Sequence, residues 1–464
     1  MTAQVEAYLA ARVDRYVAEL RDFCAIPSIS AQPAHKTDVE RAAHFAADHL
    51  VAAGLTDVAV HRTEGHPVVA AAWHGHDHAP TVLVYGHYDV QPPEPLDAWQ
   101  SPPFEPMVRD DRLYARGASD DKGPLLIPVL VAEAFLAVRG SLPVNLKFLI
   151  EGEEETGSPH LETATLRLAD RLAADLVLSA DGAMWRPDLP SVIVASRGLL
   201  ALDLTVRGSA KDLHSGRHGG SAPNPLIALA SLVAELHDAD KRVAVAGFYD
   251  GIRPPDPAIL RTIETVGFDS ARYFSEIGAQ PPAPLPMGTE LLRRQWLEPT
   301  LELNGLTGGY GGPGTKTVIP ARAAAKITCR LVAGQDPDRV FNAIRRHLEQ
   351  RCPAGFGLEV VRHGPGSAAA ALAPDLLALG IVEDVLEGLY GVRPLRVAMG
   401  ATIPIGDIFR RTLGIETVIF SFSTADEDFH GPNEFFRLAS FRTGLMAWAR
   451  VLEAIGLRLG RPPL

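Results

Sequence analysis

The sequence predicts an α/β protein: a mostly parallel sheet with packed helices, interrupted by a smaller α+β domain. Three observations carry this. Short apolar runs recur, notably Val68–Trp73, Thr81–Tyr85, Asn145–Ile150 and Asp175–Leu178, and near-continuous apolarity is what a strand covered on both faces requires. Helix-period stretches lie among them, as crossovers between parallel strands demand. The texture then changes near Ser196 and changes back near Ala368. At 464 residues the chain exceeds one simple core. We therefore read 1–195 and 368–464 as one domain and 196–367 as an insert.

The first element is an amphipathic helix from Met1 to Leu20, with Val5, Leu9, Val13, Val17 and Leu20 at helical spacing. A second helix, Val39–Ala53, stops at Gly54. Strands Val58–His61 and Val68–Trp73 follow, then Thr81–Tyr85, which ends abruptly at Gly86-His87. The acidic loop Ser119–Gly123 opens a helix. Strand Asn145–Ile150, helical segment Leu161–Leu172 and strand Asp175–Leu178 complete the first part. In the insert, Leu199–Val206 and Ala323–Val332 read as strands and Pro225–His237 as a helix. The Pro- and Gly-rich stretch Gly251–Gly314 reads as irregular connection. Helix Leu372–Leu389, strand Thr417–Phe422 and helix Arg437–Ile455 close the chain.

Composition narrows the function. An apolar fraction of 47% with 22% charged residues excludes a mostly disordered chain. The net charge of -12 argues against nucleic acid, whose phosphates need a basic face. Three scattered cysteines give no disulfide framework. With no signal peptide pattern, and an apolar stretch at Leu125–Val138 too short to span a bilayer, we expect a soluble cytoplasmic protein.

Ligands of open α/β sheets gather at the carboxyl ends of strands. Behind Tyr85 come His87 and Asp89; behind Ile150 come Glu151, Glu153, Glu154 and Glu155. Behind Leu178 comes Asp181, and behind Phe422 come Asp426, Glu427, Asp428 and His430. Each has an ordinary explanation alone: Asp120 and Asp121 as helix caps, Asp181-Gly182 as a turn, the glutamates as a solvated face. Their joint placement at strand ends points instead to a two-metal hydrolytic site. Imidazole and carboxylate suit a catalytic Zn²⁺, and two ions sharing a carboxylate can polarise a carbonyl together. Such a site also needs a general base, which a glutamate beside a ligand glutamate supplies.

These residues resemble the zinc aminoacylase, carboxypeptidase and dipeptidase family, which includes acetylornithine deacetylase and carnosinase. Gly86–Val90, Arg116–Gly123 and Glu151–Ser158 match its three motifs in order. The resemblance implies two Zn²⁺ per subunit, with Mn²⁺ or Co²⁺ as substitutes. It implies His87 on one ion and His430 on the other, Glu155 on one and Asp181 on the other, and Asp120 between them, with a cis peptide to Asp121. Glu154 matches the general base and Asp89 the carboxylate that orients His87. Within the insert, Lys211–Gly216 and Lys316–Pro320 are similar to the carnosinase and non-specific dipeptidase branch. That likeness implies a lid and dimerisation domain, a homodimer, and a small peptide substrate. His214 of one subunit would stabilise the oxyanion in the other, while Arg330 clamps the substrate carboxylate and Thr317 and Asn304 line the lid. One motif departs: the branch's Arg-Glu-Gly-Gly-Ser-Ile-Pro reads Ala398-Met399-Gly400-Ala401-Thr402-Ile403-Pro404. Gly400 and Thr402 keep the turn and a hydroxyl for substrate contact, but the charged pair is gone. Dipeptide hydrolysis is the expected reaction. N-acyl-amino-acid deacylation or carboxypeptidase trimming is the alternative. A metal-free peptide-binding module would have no use for Glu154.

Overall fold

Val82, Leu83, Val84 and Tyr85 have no polar face to turn to water, and the computed structural model buries all four completely. It describes residues 2–75, 77–281, 286–400 and 404–459. By its internal contacts the chain divides into two units. The first comprises Met1–Val194, Leu372–Val397 and Pro404–Leu464; the second comprises Ala195–Ala371 with Ala398–Ile403.

The first unit is built on a six-stranded sheet. Its order is Ala59–His61, Val68–Trp73, Asn145–Glu151, Thr81–His87, Leu176–Ser179 and Thr417–Ile419. The last four run parallel and the first two are antiparallel additions at one edge. The mostly parallel sheet expected from the apolar runs is therefore present. Helix Gly123–Arg139 packs against Leu438–Leu459, with Ile127, Phe135, Leu445 and Trp448 among the buried side chains. The single N-terminal helix of the sequence reading is instead two, Thr2–Ala10 and Val13–Cys24. The break turns Tyr16, Leu20 and Phe23 into the core and leaves Val13 and Val17 partly exposed.

The second unit is an antiparallel sheet ordered Thr300–Gly308, Arg322–Leu331, Gly198–Arg207 and Gly357–Ser367. Along Gly198–Arg207 every second residue is buried, so Leu200, Leu202, Leu204 and Val206 face one side. Helices Pro225–Ala234 and Pro337–Arg351 cover that side with Leu229, Leu232, Val340, Ile344 and Leu348. The stretch Gly251–Gly314, expected to be irregular, holds three helices among its described residues, Pro257–Thr265, Ser270–Glu276 and Thr289–Leu297, followed by strand Thr300–Gly308. Local capping explains the first two. Asp256 accepts from the Ala258 amide at 2.7 Å, and Asp269 accepts from those of Ala271 and Arg272. The prolines and glycines occupy starts and joints, where they do not break a helix.

Ile344 is fully buried in this core. Ile344→Ala should lower unfolding free energy by about 2–5 kcal/mol, read as a shifted urea midpoint at unchanged slope.

Candidate metal centre

The parallel strands deliver their polar residues to one place because they end at one edge. His87 is the last residue of strand Thr81–His87 and is fully buried. Gly86 before it is required by packing. A Cβ there would lie 2.6 Å from an Asp121 carboxylate oxygen and 2.8 Å from a Leu125 methyl carbon. The Asp120–Asp121 peptide is cis.

Asp120 joins the two histidines. Its Oδ1 lies 3.0 Å from His87 Nε2 and its Oδ2 lies 3.1 Å from His430 Nε2. His430 Nε2 is also 3.2 Å from Glu155 Oε2. Two triads result, His87–Asp120–Asp181 and Asp120–Glu155–His430, each with three ligand atoms within 4.8 Å of one another. All five residues proposed as metal ligands from the sequence thus stand together, with one carboxylate common to both triads.

A surrounding layer orients them. His87 Nδ1 faces the Asp89 carbonyl at 3.1 Å and its carboxylate at 3.4 Å. The same Asp89 carboxylate accepts from the Glu154 and Glu155 amides at 3.2 and 3.1 Å. Gln91 Nε2 donates to Glu155 Oε2 at 2.9 Å. Glu151 and Glu153, the other acids behind Ile150, are engaged elsewhere. Glu151 accepts from Tyr85 and Ser158, and Glu153 meets His160 at 2.9 Å.

Sequence reasoning missed the group that holds the Asp120 segment. Glu434, wholly buried, accepts from Arg116 Nη1 at 2.6 Å and from the amides of Gly117, Ser119 and Asp120 at 3.0, 3.0 and 3.2 Å. Glu427 accepts from the Ser119 hydroxyl, the Thr424 amide and Arg437. The available signal was Glu434 itself, an acid with no evident surface role shortly after His430.

The electrostatics favour bound cations. Burial raises Glu155, with Asp120 adding to it; burial raises Glu154, with Asp181 adding to it. Burial likewise raises Asp181 and Asp121. Burial would also raise Asp120, but hydrogen bonds from His430 and His87 outweigh it and hold that carboxyl below its usual range. The same bonds raise both rings: in His430 those to Asp120 and Glu155 dominate, while in His87 burial opposes the Asp120 and Asp89 bonds and loses. Acids crowded in low dielectric around two imidazoles are therefore short of positive charge. Imidazole nitrogens and carboxylate oxygens without thiolate are a donor set that fits hydrolytic divalent metals such as Zn²⁺.

The second unit carries the remaining predicted residues. His214 is exposed and caps helix Ser215–His218, its Nδ1 accepting from the Gly216 amide at 3.0 Å. Thr317 lies beside it, its carbonyl accepting from the Ser215 amide at 3.0 Å. Arg330 pairs with Thr300 across the sheet, and Asn304 is the extra residue where strand Thr300–Gly308 shifts register. Arg330 and Asn304 share the wall of a cavity of about 1000 Å³ with Arg197, Thr328 and Glu302. Neither His214 nor Thr317 lines it. Arg197 donates to the Gly400 carbonyl at 2.6 Å. Thr402 lies outside the described residues. No described helix is long and apolar enough to cross a membrane.

Residues 83–454 match the model of peptidase family M20/M25/M40. Human beta-Ala-His dipeptidase is 30% identical, covering 93% of this chain and 88% of its own length. The Cys-Gly metallodipeptidase of Schizosaccharomyces pombe is 29% identical over 93% and 94%. Among solved structures, a metallo-carboxypeptidase of the same family from Sulfolobus solfataricus superposes with a TM-score of 0.86, is 29% identical and covers 95% and 99%.

Arg116 and Glu434 form an ion pair with both side chains 1% exposed. Arg116→Met should destabilise the protein by about 3–5 kcal/mol by leaving a buried charge without its counter-ion, measured by urea unfolding.

Proposed function

We propose that this chain, which belongs to peptidase family M20/M25/M40 and is a metal-dependent hydrolase of peptide bonds, cleaves dipeptides or similarly small peptides bearing a free C-terminal carboxylate. The observation that carries the two-ion reading is the pair of triads sharing Asp120. In this reading His87, Asp120 and Asp181 hold one ion and Asp120, Glu155 and His430 the other, with Zn²⁺ the expected metal and Mn²⁺ or Co²⁺ able to substitute. When bound, the paired ions polarise the scissile carbonyl and acidify the attacking water.

The protein's own groups then manage protons and charge. Glu154 takes the proton of the attacking water and returns it to the departing amine. Burial, with Asp181 adding to it, raises its carboxyl when no cation is present, and bound cations would lower it towards the ionised form a base needs. Asp89 fixes the ring of His87 and, through two amides, the loop bearing Glu154 and Glu155. Arg330 pairs with the substrate carboxylate, as a guanidinium can do through two hydrogen bonds; Asn304, Thr317, Gly400 and Thr402 complete the substrate contacts. His214 stabilises the oxyanion from the partner subunit of a homodimer. Support for that dimer lies in the insert, where edge strand Thr300–Gly308 exposes Leu303 and Leu306 and the neighbouring helix exposes Ile227. The expected setting is the cytoplasm.

A second reading is carboxypeptidase or N-acyl-amino-acid hydrolysis at the same centre. It is favoured by the likeness to the Sulfolobus carboxypeptidase and by Ala398-Met399 standing where the dipeptidase branch has a charged pair.

Glu154→Gln should lower kcat by about 10²–10⁴-fold while elemental analysis still finds two metal ions per chain. Metal loss in this variant, or near-normal turnover, would remove Glu154 as the base. The metal-loaded enzyme should hydrolyse free dipeptides faster than N-blocked dipeptides or acetyl-amino acids. The opposite ranking in a rate panel would select the second reading.

A further inference from the structure

The two triads are not held alike. In one, His87 ends a central strand and Asp181 follows another, so the sheet itself sets their spacing. His430 has no such support. It lies well beyond strand Thr417–Ile419, its side chain is 55% exposed, and its backbone has φ +61°. Asp428 and Asn433 on either side also have positive φ. Asp, His and Asn enter that region more readily than other side chains, so the loop can turn sharply here, and what it bonds to decides where His430 ends up.

Glu434 and Glu427 supply those bonds. Both belong to the His430 loop, on opposite sides of His430, and both reach back to residues 116–120. Glu434 accepts from the amides of Gly117, Ser119 and Asp120. Glu427 accepts from the Ser119 hydroxyl, and Ser423 donates to the Ser119 carbonyl at 2.6 Å. The Asp120 amide is thus bonded to a side chain of the segment that presents His430. This is the counterpart of Asp89, which ties His87 to the amides of Glu154 and Glu155.

We propose that Glu434 is a positioning residue for the metal held by Asp120, Glu155 and His430, setting the separation of Asp120 and His430 through the backbone of residues 117–120. The proposal rests on the two-ion reading above. It distinguishes the two metal positions: both share Asp120, but only one also depends on the His430 loop, so loss of Glu434 should loosen that one more than the one built on strand ends.

The test titrates chelator-treated protein with Zn²⁺ by equilibrium dialysis and elemental analysis, for wild type, Glu434→Gln, Glu434→Asp and Arg116→Met. The glutamine keeps the shape but loses the charge and turns a donor toward amide donors. Glu434→Gln should bind one ion about 10–100-fold more weakly and the other with a clearly smaller loss. Its turnover should rise as Zn²⁺ is raised, with Glu434→Asp in between. Arg116→Met removes the ionic partner yet leaves the carboxylate on three amides. Below its unfolding temperature it should bind the loosened ion more tightly than Glu434→Gln does, separating lost stability from lost positioning. If Glu434→Gln and Glu434→Asp bind both ions normally and differ only in melting temperature, or weaken both ions equally, the proposal is overturned. If wild type itself binds fewer than two ions, the two-ion reading fails and the proposal with it.

Discussion

A single carboxylate, Asp120, sits between two imidazoles drawn from distant parts of the chain, 3.0 Å from one and 3.1 Å from the other. Most of what surrounds it can be understood as the means of keeping it there. An aspartate side chain is short, so its backbone must come to the histidines. Gly86 leaves room for Asp121 and Leu125 against the strand end. Lys122, fully buried, anchors the following residue by donating to the Phe23 and Ile26 carbonyls. Glu434 and Glu427 fasten the preceding ones.

The same arrangement sets the electrical character of the centre. Asp89, Asp120, Asp121, Glu154, Glu155 and Asp181 are brought near two imidazoles, and burial alone makes most of these acids reluctant to ionise. A cluster of this kind is costly as a structural feature, because like charges in low dielectric repel strongly. It makes sense as a place for divalent cations.

Much of this was legible in the sequence. The apolar runs at Thr81–Tyr85 and Asn145–Ile150 could hardly be anything but covered strands, and they are. The residues behind them could be read as a site because parallel strands end together. Elsewhere the signal misled. The helices between Pro257 and Leu297 were hidden because proline and glycine were read as breakers, although Pro257 begins a helix that Asp256 caps. The N-terminal apolar period ran through a break that no residue type announces.

By itself the sequence determined the chemistry available: which imidazoles and carboxylates follow which strands, and that no thiolate competes with them. Alternation and apolar runs are local properties, so the strands and their polar ends could be read one segment at a time. Only the tertiary structure decided which of those acids meet. Glu153 and Glu155 are near neighbours in one acidic run, yet one turns to His160 and the other to His430. Glu434 looks like an ordinary loop acid until four donors from residues 116–120 converge on it. Hydrogen bonds between segments more than 300 residues apart leave no local pattern, because each partner is chosen by the fold and not by its neighbours in the chain.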